Sequence, residues 1–527
     1  MSISIKVVTE IALLLAFALL VMTRGRHGIA TPRYLVVLGC IAIASMITHV
    51  EGVRTHQNGR FHVHPTEFYH YYLGTKYFAE CGYYGLYEAA TIAEHELTPT
   101  DFRPDETIRH LRNPAFEVRK GDLLRSRPRI VRHFGPERWQ TFKEDLAFFK
   151  SFDLRNWGNS APERDHGYNG TPLTTAVLAS LADQPLLSTG QFVSLAAWFD
   201  LMLVIGLTGV LGRLFTWEAA FAFLSLWALN PLNDFGFTGG AYLRHAPFAA
   251  LALGVALYAR NRPAAAGVAL TTSAGFRVFP GVFAASIAAH DLANPGRTAR
   301  FRQNRRFYVG LMLGAALLAA VTWHVRTPDG ENAWPAFAER IQHHTANLSP
   351  NRIGLPFLLS YSRANELGDS SSPVASTSAV EWRDTMRETF RNRRLAYLAL
   401  VAVGVLVSLA FLRSVPVAQA PFVGLLALFM FSVPSHYDYA ILGILPVLFP
   451  TDRRVWLLFA ALSATLLGLE ASDAVVRSLD RAHATYSAAV GVFLLAIALM
   501  KCKSSSFSRQ PADTASDSAD RPSPSAQ

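Results

Sequence analysis

Apolar runs recur along this chain at a length that water-soluble folds seldom need. A helix must hold about twenty mostly apolar residues to cross a bilayer. Runs of this kind, several of them short, occupy 7–22, 34–50, 189–212, 217–230, 245–259, 307–323, 395–412, 418–433, 439–450, 455–470 and 484–500. The stretch 264–289 is equally apolar, but Gly275, Phe276, Arg277 and Pro280 interrupt it and neither half reaches across. It reads as a hairpin of two short helices. The expected fold is an all-α polytopic membrane protein with about eleven spans and one intramembrane hairpin. Composition agrees. Of 527 residues 51 % are hydrophobic and 17 % charged, against about a quarter charged in soluble domains. A disordered, collagen-like or wholly soluble chain is excluded.

Charge sets the orientation. Lys and Arg number 49 against 39 Asp and Glu, a net charge of +10. A nucleic-acid binder would gather that excess on one polar face. Here it lies between apolar runs, as the positive-inside rule expects, and no nucleic-acid partner is expected. Arg24, Arg26, Arg33, Arg260, Arg262, Arg297, Arg300, Arg302, Arg305, Arg306, Arg453, Arg454, Lys501 and Lys503 all fall on one side if the amino terminus is outside and the carboxyl terminus inside. That arrangement needs both ends of 264–289 to be cytoplasmic. One stretch is awkward: Arg391, Arg393 and Arg394 land outside, just before the 395–412 run. The first run lacks an A-x-A cleavage pattern and reads as a retained anchor. The three cysteines, Cys40, Cys81 and Cys502, lie too far apart for a CxxC motif or a disulfide framework.

The organisation that follows has six parts. Residues 1–50 hold two spans, and 51–187 form a first large extracytoplasmic loop. Residues 188–323 hold spans and the hairpin, and 324–394 form a second outer loop. Residues 395–500 hold the last spans, and 501–527 form a disordered cytoplasmic tail rich in Ser, Ala, Asp and Pro. Bare transporters and channels seldom need so much outer chain, and no transporter-like internal repeat is visible. In the first loop, 66–96 is dense in aromatics: Phe68, Tyr69, Tyr71, Tyr72, Tyr77, Phe78, Tyr83, Tyr84 and Tyr87. Such a segment is expected to lie along the headgroup layer.

Candidate chemistry sits in four places. The first is His62 to Tyr72, where Glu67 is the lone carboxylate among aromatic rings. A low local dielectric suits such a group to general-base work near neutral pH. The alternative is capping, with Thr66 as N-cap and Glu67 in the first turn. A metal held by His62, His64, His70 and Glu67 is a further alternative, although no HExxH spacing exists. The second place is Asp165, His166, Gly167, Tyr168, Asn169, Gly170, Thr171 and Pro172, a tight turn before the third span. Asp165 could serve as a second acid/base group there, or the turn could only close the loop. The third is Arg277 at the hairpin turn. An intramembrane arginine is costly without an anion, and a lipid phosphate is a bidentate partner. Arg244 and Arg394 are candidates to assist it. The fourth is the outer turn His436, Tyr437, Asp438, with Asn351 to Pro356 delivered to the same face.

With these residues in view, the chain resembles the GT-C superfamily of integral-membrane glycosyltransferases over roughly 51–450. The likeness is to bacterial mannosyl- and arabinosyltransferases of the type grouped as glycosyltransferase 87. Glu67 just after a span, the Tyr168 to Pro172 turn, Arg277 with Phe279 and Pro280, and the outer turn 436–439 carry it. The resemblance implies transfer of a sugar from a polyprenyl phosphate to an acceptor hydroxyl outside the membrane, with inversion. The acceptor would be a glycan, a protein or a lipid. Glu67 would be the base, with Asp165 as substitute, since the family often carries Asp or paired acids where this chain has one Glu. Arg277, Arg244 and Arg394 would hold the phosphate. His64, His70, Tyr71, His166, Tyr168, Asn169, His436, Tyr437 and Asp438 would contact substrate. No cofactor is required, although a divalent metal could take part, and the compartment would be the bacterial inner membrane. A flippase of lipid-linked sugars and a non-catalytic membrane scaffold are the competing classes.

Overall fold

The computed structural model describes residues 5–24, 30–56, 63–112, 116–152, 162–346, 349–363, 366, 377–472 and 478–507. It is 76 % helical. Among the described residues sheet is confined to one antiparallel pair, Thr107–Arg109 with Glu117–Arg119. Helical structure stands at every expected apolar run. Six helices are long and apolar enough to cross a membrane: Ile5–Thr23, Pro32–Val50, Thr189–Leu214, Arg305–Thr322, Arg394–Ser414 and Leu479–Lys503. The remaining runs form Trp217–Ala228, Ala246–Ala259, Phe422–Phe431 and Arg453–Glu470. The run 439–450 is a 3₁₀-helix, His436–Ile444, continued by Leu445–Leu448. At 1.5–2.0 Å per residue that element falls short of a ~30 Å core.

The stretch 264–289 breaks where glycine, arginine and proline interrupt it. Helix Pro263–Phe276 ends at Arg277, whose backbone is extended, and helix Gly281–Ala293 begins after Pro280. The two ends of the pair come back together. Tyr258 Oη donates to Asn304 Oδ1 (2.8 Å), Asn304 Nδ2 donates to both Asp291 oxygens (2.8 Å), and Tyr308 Oη donates to Asp291 Oδ2 (2.7 Å). The basic residues of the 260–262 and 305–306 turns crowd the same end. Contacts continue along that end through His290 to the Val415 carbonyl (3.2 Å), Phe422 to Phe449, and Lys501 to Asp452 (2.7 Å). They finish at Glu218, which takes Arg24, Arg453 (3.4 Å) and the Tyr34 hydroxyl (3.1 Å). Arg277 is therefore at the opposite end from the basic loops.

Small residues let the hairpin seat. Helix 263–276 runs parallel to helix 305–322, and a side chain at Gly267 would strike the Phe307 carbonyl, one at Gly310 the Ala264 carbonyl, and one at Gly314 the Thr271 side chain. Gly310 and Gly314 form the G-x-x-x-G spacing that allows such backbone approach.

The first outer loop departs from expectation. Its aromatics do not lie along a surface. Phe68, Tyr69, Tyr72, Tyr77, Phe78, Tyr83 and Tyr87 are each 2 % exposed or less. Most of them pack under Leu86–Leu97, Arg127–Phe134 and Pro136–Lys150, which add Trp139, Phe142 and Phe149 to one core. Inside it, Lys76 pairs with Asp145 (2.8 Å), and Tyr77 donates to the same carboxylate (2.6 Å). These rings are the core of a folded unit. The last helix runs from Leu479 to Phe507, so the first residues of the expected tail are helical, and 508–527 lie outside the described residues.

Candidate active site

The site is assembled where that outer unit meets the hairpin tip. Val63 and His64 are extended, Pro65 starts a short helix, and Glu67 lies in its first turn. The cap is His64 rather than Thr66: the His64 Nδ1 accepts the Glu67 N–H (3.2 Å). Pro65 fits N1 because its missing N–H leaves nothing unsatisfied there. His64 N–H in turn donates to the Gly240 carbonyl (2.8 Å), tying this helix to the 230–245 turn. Burial, helped by the Arg244 charge and opposed by Glu67, pushes the His64 imidazole down to about 4.

Arg244 closes on Glu67, its Nη1 donating to Glu67 Oε1. Glu67 is thus an ion-pair partner, not an isolated carboxylate among rings. The Arg244 guanidinium also lies 4.2 Å from the centroid of the Tyr437 ring, a favourable cation–π placement. Its backbone is fixed from below. Asp200, 4 % exposed, accepts the Arg244 N–H (2.9 Å) and the His245 N–H (2.8 Å). The preceding Leu243 holds φ at +54°, a costly conformation for a branched side chain that these two bonds help secure.

Arg277 makes the second pair, its Nη1 donating to Asp438 Oδ1 (2.7 Å). The other Asp438 oxygen accepts the Ser435 N–H (3.2 Å), completing a capping box for helix 436–444. The hairpin tip is held by Thr171, which caps helix Pro172–Ala182 and donates to the Gly275 carbonyl (2.5 Å). Arg244, Arg277, Tyr437 and Asp438 line one open cavity, of about 410 Å³ counting the space open to solvent. Phe248, Leu251, Phe279 and Ile441 make its apolar wall. Two guanidiniums at the rim of an apolar slot suit an anion carried on a hydrophobic chain.

Tyr71 and Asn169 belong to the same group: the Tyr71 hydroxyl donates to Asn169 Oδ1 (2.7 Å), and its phenol, pushed up by burial, stays a donor. Other expected residues do not join it. His70 is 3 % exposed and bonds the Tyr87 hydroxyl (2.9 Å) and the Pro162 carbonyl (3.1 Å). Asp165 stands 3.8 Å from the other His70 nitrogen. The His166 and Tyr168 carbonyls are both held by Arg340, and the buried Tyr168 hydroxyl bonds Thr175 (2.8 Å). His436 is 6 % exposed and packs edge-on to Phe237 (4.8 Å) and close to His483 (5.0 Å). Arg394 opens its helix on the exposed surface, and none of the described contacts of Arg244 or Arg277 involves it. Its neighbour Arg393 instead caps the Tyr361 carbonyl (2.8 Å). His62 lies outside the described residues.

Asp200 and Arg340 escaped the sequence reading. A single aspartate in the middle of the apolar run 189–212, and one arginine in an ordinary amphipathic helix, carry no local motif. Fold and site together define an all-α membrane protein with a cavity lined by two ion-paired arginines. Set against protein-family models, curated proteins and solved structures, the chain matches none of them.

Proposed function

We propose that this protein is an integral-membrane glycosyltransferase of GT-C type. It moves a hexosyl or pentosyl unit from a polyprenyl phosphate to a hydroxyl of a glycan, protein or lipid. The observation that carries the reading is the cavity: Arg244 and Arg277 at one rim, an apolar wall beneath, and Glu67 bonded to Arg244. In this reading the shorter helices, with the 436–448 element crossing where the bilayer thins to match it, complete about eleven spans, the membrane is the bacterial inner membrane, and the site faces outward.

The donor phosphate takes the two guanidiniums from Glu67 and Asp438, and the prenyl chain follows the apolar wall. Glu67, released, accepts the proton of the acceptor hydroxyl. The acceptor oxygen forms a bond to the anomeric carbon from the face opposite the phosphate. The bond from that carbon to the phosphate oxygen breaks, and the lipid phosphate leaves with the electron pair, its charge stabilised by Arg244 and Arg277. One Glu suffices as base because the arginines, not an acid, support the leaving group.

Incubating the purified chain with a panel of radiolabelled polyprenyl-phosphate sugars tests this. One donor should lose its label to an acceptor. Glu67→Gln should reduce transfer at least about 100-fold with donor affinity kept. Arg277→Ala should weaken donor binding about 10- to 100-fold, and Arg277→Lys by less. Transfer undiminished in Glu67→Gln, or equal donor affinity in all three Arg277 forms, would overturn the assignment.

A further inference from the structure

A second cavity adjoins the first. Trp198, Trp227 and Phe235 give it aromatic walls, Gly240 and Asp200 lie on its lining, and His245 is the one residue that also lines the first cavity. The two differ in charge. The first is lined by Arg244 and Arg277 with one carboxylate, Asp438, whereas the second contains no Lys or Arg and one carboxylate, Asp200. Only the first offers guanidinium donors to a phosphate. Flat aromatic faces beside a few hydrogen-bonding groups suit a neutral polyhydroxylated ring, whose C–H face packs on the ring while its hydroxyls meet the polar groups.

His245 stands where the two ligands would meet. It is 6 % exposed, packs edge-on to Trp227 (5.2 Å) and Phe248 (6.4 Å), and its ring makes no hydrogen bond among the described residues. On the same lining the Trp227 Nε1 is buried with no hydrogen-bond partner among the described residues, and such a donor is costly unless a ligand satisfies it. The Glu67 helix reaches this cavity too, through the His64 bond to Gly240, while Glu67 itself bonds Arg244. Asp200 holds the intervening backbone through the Arg244 and His245 N–H groups.

We infer that the second cavity is the acceptor subsite: it takes a neutral sugar ring against Trp198 and Trp227 and presents one hydroxyl to His245. This inference rests on the glycosyltransferase reading and names the acceptor class for it. His245 accepts or donates a hydrogen bond to the acceptor and sets the hydroxyl's direction toward the anomeric carbon. Glu67 takes the proton, so the bonds made and broken are those already given.

The test has two arms in lipid nanodiscs. In the first, the labelled polyprenyl-phosphate sugar that serves as donor is used with methyl hexosides as acceptors. His245→Gln and Trp198→Ala should each raise the acceptor KM roughly tenfold while the donor KM stays within about twofold. A raised donor KM, or an unchanged acceptor KM, overturns the assignment. The second arm needs no turnover. Trp198 lines the cavity, so acrylamide, a small neutral quencher that enters it, should quench the part of the emission that Trp198→Phe removes. Methyl hexosides should shield that part and undecaprenyl phosphate should not. Shielding by the lipid phosphate, or by none of the hexosides, refutes the subsite. Shielding by hexosides without transfer from any donor would instead refute the glycosyltransferase reading.

Discussion

His64 accepts the Glu67 N–H through Nδ1, and a protonated imidazole has no lone pair to accept with. The folded state therefore holds this histidine neutral. Its folded value is about 4 against an ordinary 6.5. Between those values the unfolded chain binds more protons than the folded one. The stability this site contributes is complete above about pH 6.5 and is lost as pH falls toward 4, by about 3 kcal/mol at most. Thermal unfolding in detergent should show the melting temperature dropping across that window. His64→Asn offers an Oδ1 that accepts at every pH, so its profile should be flatter there. Parallel profiles for the two proteins would mean that the capping bond does not govern the decline. The same bond explains why Thr66 looked like the cap in the sequence. It is the preferred residue type, but Pro65 at N1 puts the cap two residues earlier, at His64.

Helix 263–276 owes its place to what it lacks. Gly267, Gly310 and Gly314 bring its backbone against helix 305–322, and the loop that ends it carries Arg277. Any side chain at Gly310 would meet the Ala264 carbonyl, a backbone atom that cannot swing aside. Gly310→Leu should destabilise by about 2 kcal/mol and lower donor affinity, although it lies nearly a helix length from Arg277. The control is Gly206→Leu, where nothing stands within 4 Å; its melting temperature should stay near that of the parent. Comparable losses from both would assign the effect to bulk in lipid rather than to helix contact. The break at Arg277 was legible because Gly275 and Pro280 oppose a continuous helix and an arginine opposes burial in lipid. The close packing was legible only as spacing, since G-x-x-x-G does not say which neighbour it meets. The aromatic segment misled for a related reason. Rings that face protein and rings that face headgroups read alike, and it is Trp139, Phe142 and Phe149 of a distant helix that decide the matter.

Across the whole molecule the apolar runs and the charge pattern were readable and the pairings were not. Hydropathy needs only neighbours in sequence, whereas Glu67 and Arg244 stand 177 residues apart and Arg277 and Asp438 stand 161 apart. No period or motif links such positions; only the fold brings them together. The charge pattern nonetheless makes a claim about the complete chain, because the contacts around Asn304, Asp291, Glu218 and Asp452 gather the basic loops at one end and leave Arg277 at the other. Basic loops are retained in the cytoplasm during insertion. Thr298 lies exposed on the short helix Arg297–Gln303 at the basic end, and Asp101 lies exposed on the folded outer unit. With Cys40 and Cys502 changed to serine and the buried Cys81 kept, each position can be made cysteine in turn. A membrane-impermeant maleimide added to intact bacterial cells should label the Asp101→Cys protein and spare the Thr298→Cys protein until lysis. Labelling of both before lysis, or the reverse order, would place the cavity on the wrong side for a lipid-linked donor displayed outside, and the site would then face the compartment where nucleotide-activated donors are available instead.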